Sequence, residues 1–283
     1  MESIYIKKIF YLILLLILCL LSVIAIPLLC LLHFISKNLS MKISTILSYF
    51  LWRILGMILM CTMKIEYEIE DLEDVMNYEN CIVVSNHIGA FDFLLINEVA
   101  RKKKMLKNVK FIIKKSMKWV PIFGWGLICL NFVFVERNFL KDKLNILKWT
   151  KNVKKNKIPF WIVIYPEGSR FTDAVKNHSD KFCIENGIEP LKNVIYPKTK
   201  GFNLICNELR NYVDTIIDLT VEYSESGNKN VPTLSTVLFG RTNGTVRIKS
   251  KVCKIKDIEN YDQFIVERFR RKDLIISKWK NEK

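Results

Sequence analysis

The sequence has no GxSxG, no GxGxxG, no Walker loop, no HExxH and no CxxC pair. The nearest string to a serine elbow is Gly240-Arg-Thr-Asn-Gly244, with threonine where the nucleophile belongs. A serine hydrolase, a dinucleotide enzyme, a P-loop enzyme and a zinc peptidase each lack their required parts. Eight cysteines stand singly at 19, 30, 61, 81, 129, 183, 206 and 253, and two of them fall in one apolar segment. That pattern reads as reduced thiols, with no metal site expected. Internal repeats and low-complexity linkers are also missing. Histidine is scarce, with three in 283 residues. His33 ends an apolar helix and His178 lies on the polar face of another, which leaves His87 as the candidate for imidazole chemistry.

Acidic charge is in deficit: 28 Asp and Glu stand against 44 Lys and Arg, for a net charge of +16 and a pI near 9.4. Such a balance attracts an anionic partner, either nucleic acid or acidic lipid. The lysines are dispersed and no recognition motif accompanies them, so nucleic acid is not expected. Half of the residues are apolar, which favours membrane lipid and still leaves enough for a large core.

Ile9 to Ile35 contains no Lys, Arg, Asp or Glu. Those 27 positions exceed the about 20 helical residues that cross a bilayer core. Lys7 and Lys8 precede the run, and Lys37 and Lys42 follow it. Val23 and Ala25 make a weak signal-cleavage site, but a signal peptide's apolar region is usually only about 7–15 residues. A retained helix is therefore expected, with Pro27 as a point of kinking or splitting. Ile43 to Met63 is a second apolar segment, interrupted by Arg53. One arginine at a helix centre costs roughly 2.5–3.5 kcal/mol on insertion. This segment either spans, lies in the interface or packs on the first helix. The domain reading is a membrane-anchoring helical segment over 1–63 and an α/β domain over 64–283.

From Lys64 strands alternate with helices. Expected strands are Ile65–Ile69, Cys81–Ser85, Phe111–Ile113, Phe132–Val135, Phe160–Tyr165, Ile216–Tyr223 and Val246–Ile255. Expected helices are Phe91–Lys104, Asp142–Lys155 with Leu144, Ile146, Leu147 and Val153 inward, Ala174–Asn186 closed by Gly187, and 262–280. The fold class is α/β, a mixed central sheet flanked by helices and preceded by N-terminal membrane helices.

The stretch VVSNHIGAFDFLL, residues 83–95, ends a buried strand in Asn86-His87 and places Asp92 five residues after the histidine. On one ideal helix those two side chains would diverge by about 140°. His87 is therefore expected on the turn, with Asp92 in the first turn of the following helix. There the macrodipole favours a carboxylate, which can accept the Nδ1 proton of His87 and leave Nε2 as a base. The plainer alternative is a helix cap. Three more polar turns follow: YPEGSR (165–170), with Glu167 and Arg170 at a strand's carboxyl end; FVFVERN, with Arg137; and YPKTKGF (196–202), with Lys198 and Lys200. Open α/β sheets bind ligands at that edge, and three basic turns there point to an anionic substrate.

Asn86-His87 to Asp92, Phe134 to Arg137 and Pro166-Glu167-Gly168-Ser169-Arg170 together resemble, in order and spacing, the glycerophospholipid acyltransferases of the 1-acylglycerol-3-phosphate O-acyltransferase type. YPKTKGF, IIDLTVEY, PTLSTVLFG and FIVERFRRKDLIISKWK are similar to the lysocardiolipin acyltransferase-like branch. The resemblance covers about residues 50–280. Asn131 stands where that family usually has a glycine, and Tyr165 and Ser169 replace its usual Phe and Thr. The resemblance implies an acyl-CoA-dependent O-acyltransferase of phospholipid synthesis or remodelling, with acyl-CoA as co-substrate and no metal or other cofactor. His87 would be the base and Asp92 its orienting partner. Arg137, Glu167, Gly168, Arg170, Lys198 and Lys114 would hold the lysophospholipid acceptor. It also implies an integral membrane protein, of the endoplasmic reticulum, with the catalytic domain at the membrane surface. The rival expectation is a catalytically silent lipid-binding or scaffolding protein on the same fold.

Overall fold

In a computed structural model of the chain the described residues are 2–62, 64–67, 80–224, 231, 233 and 245–282. The chain opens with two long helices, α1 (Glu2–Ile35) and α2 (Lys37–Thr62), which Ser36 alone separates. Pro27 sits inside α1 without splitting it. Both helices are long and apolar enough to cross a membrane by length and composition. They pack on one another through small residues. Ser40, Ser44 and Ser48, one turn apart, are buried, and the Ser40 hydroxyl donates to the Leu29 carbonyl at 2.9 Å. Such a stripe lets helix backbones approach closely.

The two helices differ in what they face. α1 exposes a run of large apolar side chains from Ile6 to Ile35. α2 buries Trp52, Ile54, Ile58 and Leu59 in the same core cluster as the sheet. The second half of α2 is thus a core element of the domain expected to begin at residue 64.

Among the described residues seven strands form one mixed sheet: β1 (Lys64–Tyr67), β2 (Asn80–Ser85), β3 (Val109–Lys114), β4 (Val133–Val135), β5 (Phe160–Ile164), β6 (Thr215–Ser224) and β7 (Thr245–Lys254). Their order is β1-β7-β6-β2-β5-β3-β4. Every neighbouring pair is parallel except β6 with β7. The other α-helices among the described residues are α3 (Asp92–Lys102), α4 (Phe123–Cys129), α5 (Phe139–Lys155), α6 (Asp173–Glu185), α7 (Thr199–Leu209) and α8 (Tyr261–Asn281). The central strands β2 and β5 read CIVV and FWIVI because helices cover both of their faces. Cys81 to Val84 and Phe160 to Ile164 are all buried.

Buried charge on β6 is paired. Asp218 accepts from Arg268 Nε on α8 at 2.6 Å and contacts the Lys272 ammonium, which also donates to the Leu219 carbonyl at 2.5 Å. Burial pushes the Lys272 pKa down, and the Asp218 carboxylate opposes that shift. An ion pair this deep is tolerated because Asp218 meets two cations from one helix, and those contacts tie α8 to β6.

Several expectations need correction. Leu144 is 68% exposed, because it lies 200° around α5 from buried Ile146. The inward stripe is Asp142, Ile146, Trp149 and Val153, while Leu147 is half-buried. Residues 196–202, expected as a turn at a strand end, instead lead into α7, and no described strand precedes them. α4 lies in a stretch where no element was expected. Residues 68 and 69 of the first expected strand, and most of PTLSTVLFG, fall outside the described residues. α6 has the expected closure, with Gly187 at φ +66°.

Candidate active site

The site lies along the carboxyl edge of the parallel strands. Leaving β2, the chain first fixes Asn86. Its side chain donates to the Val221 carbonyl at 2.8 Å and accepts from the Val221 amide at 2.9 Å, so it replaces one rung of the β2–β6 ladder. His87 follows on an irregular turn, as expected, and Asp92 is the first residue of α3. His87 Nδ1 lies 2.8 Å from Asp92 Oδ2. The imidazole keeps 22% of its surface exposed, whereas the carboxylate has none.

Asp92 is held by more than the histidine. The backbone N–H of Ile88 donates to Oδ2 at 2.6 Å. That of Gly89 reaches both oxygens at 3.0 Å, and the Tyr223 hydroxyl donates to Oδ1 at 2.9 Å. The carboxylate thus sits in a fixed cage of donors at a helix N-terminus, where the macrodipole also favours negative charge. Only a glycine fits at 89: a Cβ there would lie 2.4 Å from the Val231 side chain. An ionised acceptor fixed on the Nδ1 side keeps that proton in place and leaves Nε2 free to take another.

The turn after β5 clamps the same histidine. Glu167 accepts the backbone N–H of His87 with one oxygen and that of Ile195 with the other, at 2.9 Å for the latter. The Phe171 N–H donates to the His87 carbonyl at 2.7 Å. The Tyr165 ring stacks on the imidazole, with centroids 4.1 Å apart and 20° between planes. Gly168 makes this turn with φ +71°, a conformation that disfavours any side chain.

Glu167 therefore differs from expectation. It is 2% exposed and both oxygens are occupied, so it is not presented to a substrate. Burial pushes its carboxyl up to about 8, against the two backbone N–H groups that pull it down. The unfolded carboxyl titrates near 4.5, so the folded state binds the extra proton between those values. Stability from this group is present at low pH and is lost as pH rises toward 8. Glu167→Gln should remove that slope from the dependence of Tm on pH. The amide offers one acceptor for two N–H groups, so it should also cost about 1–3 kcal/mol. Thermal unfolding of both forms across the pH range checks both effects; a variant with an unchanged slope would show that Glu167 does not titrate in this interval.

The basic residues spread along the sheet edge. Arg170 is exposed at the end of the turn after β5. Lys198 caps α7, and its backbone N–H donates to Pro166 at 2.8 Å. Its side chain lies over Gly168, where a Cβ would come within 3.4 Å of Nζ. The fold thus joins Gly168, Arg170 and Lys198 around one turn beside His87. Lys114 ends β3 and Arg137 follows β4. By strand spacing these lie about 10 Å and 14 Å along the edge from β2. Arg137 is exposed, with φ +63°. Asn131 has φ +59°, which explains how asparagine can stand there: it is the side chain that best tolerates this backbone after glycine.

Tyr223 and the clamping role of Glu167 were not foreseen. Tyr223 ends an alternating strand and reads as core, and nothing in one sequence pairs position 223 with 92. Glutamate in a Pro-Glu-Gly turn reads as surface charge.

The family model described as Acyltransferase matches residues 66–216, more than half of the chain. The mouse 1-acyl-sn-glycerol-3-phosphate acyltransferase gamma is 31% identical over 210 residues, which cover 73% of this chain and 55% of that protein. A probable 1-acyl-sn-glycerol-3-phosphate acyltransferase 5 of Arabidopsis thaliana is 27% identical over 203 residues, 70% of this chain and 53% of the relative. The chain thus spans little more than half the length of these curated relatives. The crystal structure of the 1-acyl-sn-glycerophosphate acyltransferase PlsC from Thermotoga maritima aligns with 93% of this chain and 96% of its own, with 16% identity and a TM-score of 0.47. With residues 66–216 matched, the chain belongs to the Acyltransferase family.

Proposed function

We propose that the protein is a membrane-bound enzyme that transfers a fatty acyl group from acyl-CoA to the free hydroxyl of a 1-acylglycerol-3-phosphate or a closely related lysophospholipid. The observation that carries this reading is the His87–Asp92 pair, a partly exposed imidazole on a fully buried, fourfold-bonded carboxylate. The names of the relatives support the acceptor. The apolar helices support attachment to a membrane, with the endoplasmic reticulum as the proposed site.

In the proposed reaction His87 Nε2 removes the proton of the acceptor hydroxyl. The oxygen attacks the thioester carbonyl, the carbon–sulfur bond breaks, and the CoA sulfur takes the proton back from the imidazolium. Asp92 fixes the ring and stabilises the imidazolium. Because the thioester is already activated, no enzyme nucleophile is required. Arg170, Lys198 and Gly168 form the near side of a phosphate site, and Lys114 and Arg137 extend the positive field outward. Arginine suits a phosphate because its fork donates two parallel hydrogen bonds. Glu167 acts through the backbone of His87.

Arg170→Lys keeps the charge and loses the fork. The expected result is a higher KM for lysophosphatidic acid with an unchanged KM for acyl-CoA, measured by initial rates on the purified variant. Equal acceptor KM and kcat in both proteins would place Arg170 outside the site. The acceptor class is tested by comparing lysophosphatidic acid with monoacylglycerol. A phosphate site requires kcat/KM to favour the phosphorylated acceptor, and equal use of both would refute it.

A further inference from the structure

Residues 119–130, WVPIFGWGLICL, contain no charged or hydrogen-bonding side chain apart from the two indoles and one thiol. They join β3 to β4, and so lie between Lys114 and Arg137. Gly124, Leu127 and Cys129 of α4 face inward. The other side is open: Trp119 is 79% exposed, and Val120, Phe123, Trp125 and Ile128 are each exposed by about four-tenths. A contiguous apolar surface of this kind marks an interaction site.

α4 rests on α1. A Cβ on Gly126 would lie 3.2 Å from Ile26 Cδ1, and one turn on along each helix the sulfurs of Cys30 and Cys129 are 3.7 Å apart. At this level α1 exposes Ile24, Leu28 and Leu31. The apolar side of α4 therefore continues the apolar surface of α1. Lys114, Lys115 and Lys118 precede the run, and the Lys118 ammonium stands 4.6 Å from the centroid of the Phe134 ring. Indoles beside lysines suit the headgroup level of a bilayer, where one end is apolar and the other wet.

We propose that residues 119–128 form a second membrane-docking element, separate from α1 and α2, which seats the β3–β4 side of the site in an anionic lipid surface. Trp119 and Trp125 enter the acyl boundary. Lys118 before them meets lipid phosphates, while the Lys115 ammonium pairs with Glu136, and Lys114 and Arg137 at the two ends of the connection are held at headgroup depth. The acceptor then reaches the site along the bilayer instead of through water. Only this last consequence rests on the acyltransfer reading.

Six tryptophans are present, and the other four, at 52, 149, 161 and 279, are buried. The full chain would be reconstituted into phosphatidylcholine–phosphatidylglycerol vesicles with and without brominated acyl chains. Brominated lipid should quench the wild-type fluorescence, and Trp119→Phe with Trp125→Phe should remove most of that quenching. Quenching that is equal in the double variant, or absent from the reconstituted wild type, overturns the proposal. A detergent-stable dimer that dissociates on Trp119→Ser with Trp125→Ser would assign the surface to a second copy and also overturn it.

The activity arm uses Trp119→Ser, Phe123→Ser and Trp125→Ser together. The apparent KM for lysophosphatidic acid in vesicles should rise roughly tenfold or more, since interfacial binding scales with buried apolar area. The rate on detergent-dispersed acceptor should stay unchanged. An equal fall in both media would overturn the delivery role. If the wild type transfers no acyl group in either medium, the functional reading fails and the quenching result alone decides the docking.

Discussion

His87→Ala should lower acyl transfer by at least the roughly 10²–10⁴-fold typical of a lost general base, while the fold survives. The side chain is partly exposed on a turn, and the contacts that fix the turn run through the backbone: Glu167 and Phe171 bond the main chain of His87, not its ring. Asp92 loses one donor of four and keeps Ile88, Gly89 and Tyr223. The variant should therefore unfold near the wild-type temperature. Initial rates and thermal unfolding of the same purified sample check the two halves together. Turnover near the wild-type rate would make His87 a capping residue.

Asp92→Asn should damage both activity and stability. The carboxylate is fully buried and accepts from two backbone N–H groups, the imidazole and a tyrosine hydroxyl. An amide has one acceptor oxygen, and its NH₂ would face donors. Each buried donor left unpaired costs about 1–3 kcal/mol. In a domain of this size that amounts to roughly 2–4 °C of Tm per kcal/mol. Without an anion on the Nδ1 side, the histidine also loses its fixed tautomer. The loss of rate should match that of His87→Ala, with a drop in Tm that His87→Ala lacks. A rate loss without a Tm change would mean that the cage relaxes around the amide.

The contrast between the two variants reflects what a single sequence reveals. The dyad was legible because a buried strand, a glycine and a helix start impose their own geometry on HxxxxD. The central strands were legible because CIVV and FWIVI can sit only where both faces are covered. α8 was legible as a helix over 262–280. Other features depend on contacts between distant parts of the chain. Tyr223 meets Asp92 only because β6 lies beside β2, an order no local pattern encodes. Glu167 looks like surface charge until the turn is seen folded under His87. Leu144 was expected inward as one of several leucines, but Trp149 and Ile146 set the buried stripe of α5. α4 was invisible because its apolar residues face both protein and exterior, so they show no polar period. α2 likewise serves as a core wall along one half and as an exposed apolar helix along the other.

In the proposed reaction an acyl group passes from a thioester to a lysophospholipid hydroxyl through His87. The most direct measurement follows thiol release and lipid product in one reaction, with purified protein, acyl-CoA and lysophosphatidic acid. CoA thiol and phosphatidic acid should appear in equal amounts, both dependent on acceptor and both abolished by His87→Ala. Thiol release without acceptor, or phosphatidic acid still formed at the wild-type rate by His87→Ala, would contradict it.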